Sequence, residues 1–530
     1  MRLLDDNPPS APVYAAPIAA LVVALGAIII TGFDVWWQLA TGWVIVNLKI
    51  IPGNDIFSFT AFGAPWINHQ WLFQVVQWLI FDHLGESGLV FFKAALLGSG
   101  TWLVFRTTSY LTSSRDMALW SAIIFLWGVS FRVMNRPFMV VIILIGVYCL
   151  IIHRYIRRDT KAIWLLPLLQ VIWINCHGGG LLGPAFVLAF AVGETVQTLL
   201  PSGFGGPPPI ERRKIERLWL IGLACIATSL INPWGAEIFQ YFTDLKKMGT
   251  VLMYTQEWFP PLNPKLDYSI PPYIYMLTVL GTFVSFVCNA KRARLSFLFV
   301  SGFTSLLLIR GHRFGPEMLV ANLPLMFMNF KESLLPARAP RPQRSWIHVC
   351  LASVIAALVL IFGVPISMVD KPIVRMGLGA PAFSAPTHLV DFLEYHNIRG
   401  RVFNDMGLGA YMIFRRWPRE RVFIDGRTPV YGDEFFKEFI EASNNSRNFD
   451  ETMERYDIDY LVFNRINLWG SRHMHKYLWE SKKWRLIYAM EDGLIYLKDV
   501  PKFEKLIKKF GIKRNPLIEE MERMEKAGIK

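Results

Sequence analysis

Long apolar runs separated by short polar stretches occupy most of the first 368 residues. They fall at about 15–33, 86–106, 117–131, 138–155, 162–175, 180–200, 216–232, 271–289, 294–310, 315–330 and 346–367. Each approaches the roughly 20 residues that an α-helix needs to cross a bilayer core, so the pattern predicts about eleven spans. The stretch Trp71–Phe81 is apolar but too short to span, and reads as interfacial or re-entrant. No basic region precedes the first run and no small-residue cleavage site follows it. That run is therefore expected to be a retained helix and not a signal peptide.

After about residue 368 the pattern changes. Arg421–Asp425, Asp459–Phe463 and Leu494–Leu497 read as strands, with helical text at Thr387–Tyr395, Glu434–Ala442 and Asp450–Tyr456. The predicted fold class is thus mainly α: a polytopic transmembrane helix bundle over 1–368, then a small extracytoplasmic α/β domain over 369–500. A charged, helical tail follows over 501–530.

Charge orients this arrangement. The chain is 53% hydrophobic and only 18% charged, and its formal net charge is +14. The basic residues stand in short clusters between apolar runs: Arg154, Arg157, Arg158 and Lys161; Arg212, Arg213, Lys214 and Arg217; Lys291, Arg292 and Arg294; Lys331, Arg338, Arg341 and Arg344. A cytoplasmic N-terminus and eleven crossings put all four clusters on the cytoplasmic side of the inner membrane, with the C-terminal domain outside. Such clusters argue for membrane orientation and against nucleic-acid binding. Five cysteines lie in or beside apolar runs without a CxxC pair, and the C-terminal domain has none, so it folds without disulfides.

The same register collects unusual polar residues outside. Asp34 stands where the first helix meets the boundary, beside Trp36 and Trp37; Asp55 and His69 follow in the same loop. A carboxylate there can accept a proton from an acceptor hydroxyl or bind a divalent cation, and the tryptophans can stack on a sugar. Equally, Asp34 fits an interface carboxylate, Asp55 a turn residue after Pro52-Gly53-Asn54, and His69 a ring bonded to a carbonyl. Arg132, Arg136, Arg310 and Arg313 run against the inside bias for basic residues. Their planar forks suit a phosphate, with snorkelling to lipid headgroups as the alternative. Asn175-Cys176-His177-Gly178-Gly179-Gly180 opens a helix and fits either an anion site or close helix packing. Glu257 sits in the longest later external loop. Asn404-Asp405 and Asp425-Gly426-Arg427 fall at predicted strand ends, where they fit a site or ordinary turns. Walker, dinucleotide-binding and HExxH motifs are missing, which argues against a nucleotide-driven pump, an NAD enzyme and a zinc protease.

The first external loop resembles that of GT-C membrane glycosyltransferases, especially a bacterial branch with an Asp-x-Trp-Trp-x-Leu-Ala-Thr-Gly opening, here Asp34 to Gly42. The resemblance extends through Arg136-Pro137, Asn175-x-His177-Gly178-Gly179, Asn232-Pro233-Trp234-Gly235 and Phe423-Ile424-Asp425-Gly426-Arg427. Related sequences have His where Gln38 stands and Glu where Gln70 stands, which weakens a metal or acid role at those two positions. The resemblance implies an enzyme that transfers a sugar from a polyprenyl-phosphate donor to a glycan, lipid or protein acceptor on the extracytoplasmic face. Asp34, Asp55 and His69 are then the catalytic candidates, with Asp34 also the candidate ligand of a divalent cation (Mg or Mn). Arg132, Arg136, Asn175, His177, Arg310, Arg313, Trp36, Trp37 and Glu257 are the candidates for binding substrate and phosphate, and membrane lipids are the other partners. A lipid or solute transporter and a non-catalytic envelope-polysaccharide assembly protein are the competing readings. The enzymatic one expects the carboxylate and the arginines to share a cavity.

Overall fold

The computed structural model describes residues 11–200, 206–266, 272–334, 345–362, 376–464, 472–513 and 523. The expected boundary near 368, Arg338, Arg341 and Arg344 of the last basic cluster, and most of the charged tail lie outside the described residues. The chain divides into two compact units, each assembled from three segments: Met1–Ile29, Leu84–Ile238 and Thr255–Leu378 in one, and Ile30–His83, Phe239–Tyr254 and Gly379–Lys530 in the other.

The first unit is helical. Among the described residues three helices are long and apolar enough to cross a membrane: Trp71–Thr112, Phe138–Arg157 and Gly178–Leu199. Shorter apolar helices lie at Ala11–Gly26, Lys161–Cys176, Tyr273–Cys288, Leu295–Arg310 and Ser345–Val359. The expected interfacial stretch Trp71–Phe81 begins the long helix, and the helical dihedrals break at Gly85, where φ is 62°. A positive φ is costly for any residue with a Cβ, so glycine marks the break. Trp71–His83 belongs to the second unit and the remainder to the first. The first unit's core is aliphatic and aromatic, with Ile145, Tyr148, Trp173, Phe186, Phe190, Leu319 and Leu323 all fully buried.

The second unit is α/β. Its sheet runs β1 (Val402–Asn404), β2 (Tyr460–Phe463), β4 (Gly493–Lys498), β3 (Trp484–Met490). β1 lies parallel to β2, and the other pairings are antiparallel. The parallel pair needs a crossover, supplied by the helices Met406–Arg416, Thr428–Asn444 and Ser446–Arg455. Arg421–Asp425, expected to be a strand, instead forms a single isolated bridge between Val422 and Ser58 of the first loop. Its consecutive apolar residues Val422, Phe423 and Ile424 are all buried, but its bridge partner is a loop and not a strand of the sheet. β3 was not expected, because its polar and apolar residues alternate only imperfectly and a bulge interrupts it between Leu486 and Tyr488.

The first loop is built into this unit. Val422 N donates to Phe57 O at 3.1 Å, Phe59 N to Val422 O at 3.1 Å, and Trp417 Nε1 to Ile56 O at 3.0 Å. Thr250 and Val251 also donate to the Asp433 carboxylate through backbone N–H groups at 2.9–3.2 Å, which ties the segment Gly249–Tyr254 to the helix Thr428–Asn444.

Candidate functional site

The sequence-predicted residues fall into two groups, one in each unit. In the α/β unit, Asp34 is the first residue of the helix Asp34–Leu48, where a carboxylate complements the helix dipole. Trp37, one turn on, donates from Nε1 to Asp34 Oδ1 at 3.2 Å. Gly426 lies against the same oxygen so closely that a Cβ there would overlap it. Trp36 is buried, donates to Ser384 Oγ at 3.3 Å and meets Tyr411 edge-on, so it packs the helix and Trp37 lines the site.

Asp55 is wholly buried. Its carboxylate accepts from Phe57 N, Ser58 N and Ser58 Oγ, and its Oδ1 pairs with Arg427 Nη2 at 2.7 Å. Asp425 grips the same guanidinium through Nε at 2.9 Å and Nη2 at 2.7 Å, and accepts a further bond from Tyr431 OH at 2.6 Å. The Arg427 guanidinium lies over the faces of Trp66 at 4.6 Å and Phe57 at 4.9 Å. Burial by itself would lower the Arg427 pKa, but the charges of Asp425 and Asp55 outweigh it and hold the group ionised. Arg427 Nη1 is buried with no hydrogen-bond partner among the described residues.

His69 follows a chain of neutral groups. Gln38 Nε2 donates to Gln70 Oε1 at 3.1 Å, and Gln70 Nε2 reaches His69 Nε2 at 3.1 Å, while His69 Nδ1 faces Ile67 O at 3.3 Å. Gln38 and Gln70 thus pair with each other. The Tyr241 ring packs on His69 with centroids 4.2 Å apart. Trp37, Trp66, Asn68, His69, Tyr241 and Arg427 are among the residues that line a cleft holding about 660 Å³ of empty space.

The second group lies in the helical unit. Arg132 is buried, and Arg136 and Glu257 are partly so. Arg136 Nη1 meets Glu257 Oε1 at 2.6 Å, and Arg132 Nη2 meets Glu257 Oε2 at 3.4 Å. Arg313 stacks on Trp258 at 4.1 Å, and His312 N donates to Phe259 O at 2.8 Å, so the turns 256–258 and 312–314 are locked together. Burial pushes the Glu257 carboxyl up, but the charges of Arg132, Arg136 and Arg313 together outweigh it and hold it well below the usual carboxylate range. Arg132 Nη1 is buried without a hydrogen-bond partner among the described residues. The nearby Glu317 is also buried, so among the described residues these three guanidiniums stand near two carboxylates.

The other candidates have structural contacts. Asn175 Nδ2 donates to Val171 O and Ile231 O at 2.7 and 2.8 Å, and His177 Nδ1 accepts from Gly179 N at 2.8 Å as the cap of the turn Gly178–Leu181. Arg310 is exposed at the end of its helix. Asn404 and Asp405 bind backbone groups of Phe423, Ile424, Leu408 and Asn464 and fasten the strand end to its neighbours.

Among the described residues no three His, Cys, Asp or Glu side chains gather as a metal site. Within the α/β unit a guanidinium already sits between Asp55 and Asp425, so this donor set does not fit a divalent cation. Sequence reasoning passed over Asn68 and Tyr241, weighed Gln70 and set it aside, and placed Arg427 at a strand end that fits a site or a turn. The ring of aromatic residues around a buried Arg-Asp motif is visible only once Phe57, Trp66 and Arg427 are brought together by the fold.

No protein-family model matches the chain, and no curated protein matches it. Solved structures do. The Archaeoglobus fulgidus oligosaccharyltransferase in its apo form superposes with a TM-score of 0.51 at 11% identity, over 85% of this chain and 69% of that one. The archaeal oligosaccharyltransferase AglB from the same organism, in complex with an inhibitory peptide and a dolichol-phosphate, gives 0.51 at 11% identity over 93% and 75%. The arabinofuranosyltransferase AftD from Mycobacteria gives 0.50 at 12% identity over 94% of this chain and 40% of AftD, so the chain spans less than half of that protein. The likeness is one of fold alone.

Proposed function

We propose that the chain is a membrane glycosyltransferase that moves a sugar from a polyprenyl-phosphate-linked donor to an acceptor on the extracytoplasmic face. The observation that carries this reading is the cluster of Arg132, Arg136 and Arg313 around the carboxylate of Glu257, in a fold shared with transferases. Negative charge develops on a phosphate as the sugar leaves it, and preset guanidinium donors stabilise that charge more in the transition state than in the ground state. One AglB structure holds a dolichol-phosphate, which supports a lipid-linked donor as the partner class.

In this reading the acceptor oxygen attacks the anomeric carbon while the bond from that carbon to the phosphate oxygen breaks. The electron pair leaves with the phosphate, and Asp34 takes the acceptor's proton. The hydrogen bond from Trp37 fixes the carboxylate, and Gly426 leaves room beside it. Asp55 keeps Arg427 in place, and Gln70 positions the His69 ring. About eleven spans, a cytoplasmic N-terminus and a bacterial inner-membrane location complete the proposal.

The test is a transfer assay with purified full-length protein and radiolabelled polyprenyl-phosphate sugars. Asp34→Asn is expected to cut turnover by about 10²–10⁴-fold, the usual range for loss of a general base. Arg136→Gln is expected to lower kcat as well as raise the donor KM. Transfer indifferent to both substitutions refutes the assignment.

A further inference from the structure

Within the helical unit, Arg106, Arg154, Arg157 and Lys331 gather around the last turns of the helix Trp71–Thr112. Two of these cations serve the helix itself. Arg157 Nη1 donates to Tyr110 O at 3.3 Å and to Leu111 O at 3.1 Å, and Lys331 Nζ donates to Thr112 O. Such bonds satisfy carbonyls that a helix C-terminus leaves open, and they set positive charge at the negative end of its dipole. Arg157 also faces Glu332 at 3.9 Å.

The other two cations do neither. Arg106 lies over the Trp102 ring at 5.9 Å, and Arg154, from the helix Phe138–Arg157, lies over the Tyr110 ring at 5.6 Å. Both arginines are exposed, and neither makes an ion pair or a side-chain hydrogen bond among the described residues. Trp102, Arg106 and Tyr110 stand four residues apart and so share one face of their helix, with Trp102 exposed on it. The Tyr110 hydroxyl makes no hydrogen bond among the described residues, so a donor stays open on the ring that Arg154 covers.

Depth gives the cluster its meaning. Trp71–Thr112 is long and apolar enough to cross a membrane, and Arg106 stands six residues before its end, about 9 Å along the axis. Its guanidinium lies over Trp102, one turn further from that end, so the side chain does not reach for water at the helix terminus. On a lipid-facing helix a guanidinium at that depth is costly unless an anion meets it. Trp and Tyr rings suit the headgroup level, and basic pockets between membrane helices suit acidic headgroups.

We propose that Arg106 and Arg154 hold the phosphate of an anionic phospholipid between the two helices, with Tyr110 as a further donor and Trp102 against the acyl chains. The site lies on the helical unit and is independent of the glycosyl-transfer reading.

The test is competitive lipid binding to the detergent-solubilised full-length chain, read by native mass spectrometry. Dioleoyl phosphatidylglycerol and dioleoyl phosphatidylcholine share their acyl chains and are the probes; inorganic phosphate is the competitor. A basic side chain near an acidic headgroup is worth about fivefold in affinity, so phosphatidylglycerol is expected to bind about 25-fold better than phosphatidylcholine. Arg106→Gln and Arg154→Gln are each expected to cut that preference about fivefold. Arg106→Lys, which keeps the charge, should retain most of it. Trp102→Ala should weaken both lipids alike, and Arg212→Gln, an exposed arginine paired with Glu216, should change nothing. A preference that survives the Arg106→Gln/Arg154→Gln double variant overturns the proposal, as does one lost equally in Arg212→Gln. Displacement of phosphatidylglycerol by inorganic phosphate also overturns it, in favour of a site for free phosphate. If the double variant does not fold, Arg106 decides alone: loss in Arg106→Gln with retention in Arg106→Lys supports the site, and equal loss in both refutes it.

Discussion

Replacing Arg427 by methionine strands two buried carboxylates. Asp55 Oδ1 and Asp425 Oδ2 both sit 2.7 Å from the same Nη2, and both residues are fully buried. Without the guanidinium these oxygens face each other across about 5 Å, and at an effective dielectric constant of about 20 their repulsion is about 3 kcal/mol. That matches the roughly 3–5 kcal/mol expected when one partner of a buried pair is removed. Asp55→Asn in the Arg427→Met background removes the repulsion, so the double variant should recover about 3 kcal/mol. The assay is a double-mutant cycle on the full-length protein in detergent, with reversible denaturant unfolding followed by tryptophan fluorescence. The deficit of Arg427→Met should also shrink as pH is lowered, because protonating either carboxylate relieves the pair. A cycle additive within about 0.5 kcal/mol, or an Arg427→Met protein as stable as wild type, would refute the reasoning.

Three further outcomes follow from local geometry. Gly426→Ala places a methyl on Asp34 Oδ1 and should cost transfer at least tenfold with little change in unfolding midpoint, read by comparing turnover with thermal denaturation. Burial raises the Asp405 carboxyl to about 6 despite backbone N–H bonds from Leu408, Asn464 and Gly407. Because the folded chain then keeps this proton to a higher pH than the unfolded chain, the group removes stability as pH rises from about 4 to 6, by about 3 kcal/mol in full. Asp405→Asn should flatten that part of the stability profile. Glu257 shows the opposite sign: its folded value lies below its unfolded one, so its pairing is complete above the ordinary carboxylate range and is lost only as pH falls below it. Glu257→Gln should therefore show a stability deficit that is constant between pH 5 and 8, and tighter binding of polyprenyl phosphate in a direct titration.

Much of the architecture was legible because hydrophobic length is a strong signal. The runs at 138–155 and 180–200 became helices within a few residues of their expected ends. The helix Thr387–Tyr395 was read to the residue, and β2 and β4 were read nearly so. Arg421–Asp425 was misread because a short run of buried apolar residues does not say whether its bridge partner is a strand or a loop. In the helical unit Arg132 and Arg136, singled out in the sequence by charge bias, pair with Glu257, singled out by its place in a long loop. The Arg427 cluster was not read as one, because its members come from positions 55, 57, 66, 425 and 431, and only long-range packing brings them together.

The α/β unit has a consequence for biogenesis. Its first segment ends at His83 and its last begins at Gly379, so the early loop must wait while nearly three hundred residues are made. At about 5–20 residues per second that interval is on the order of 15–60 s. During it Asp55 lacks Arg427, and Phe57 and Trp66 lack the surface that later covers them. A chaperone or the insertion machinery has a defined client in that window, and a ribosome stalled before Gly379 would leave it exposed.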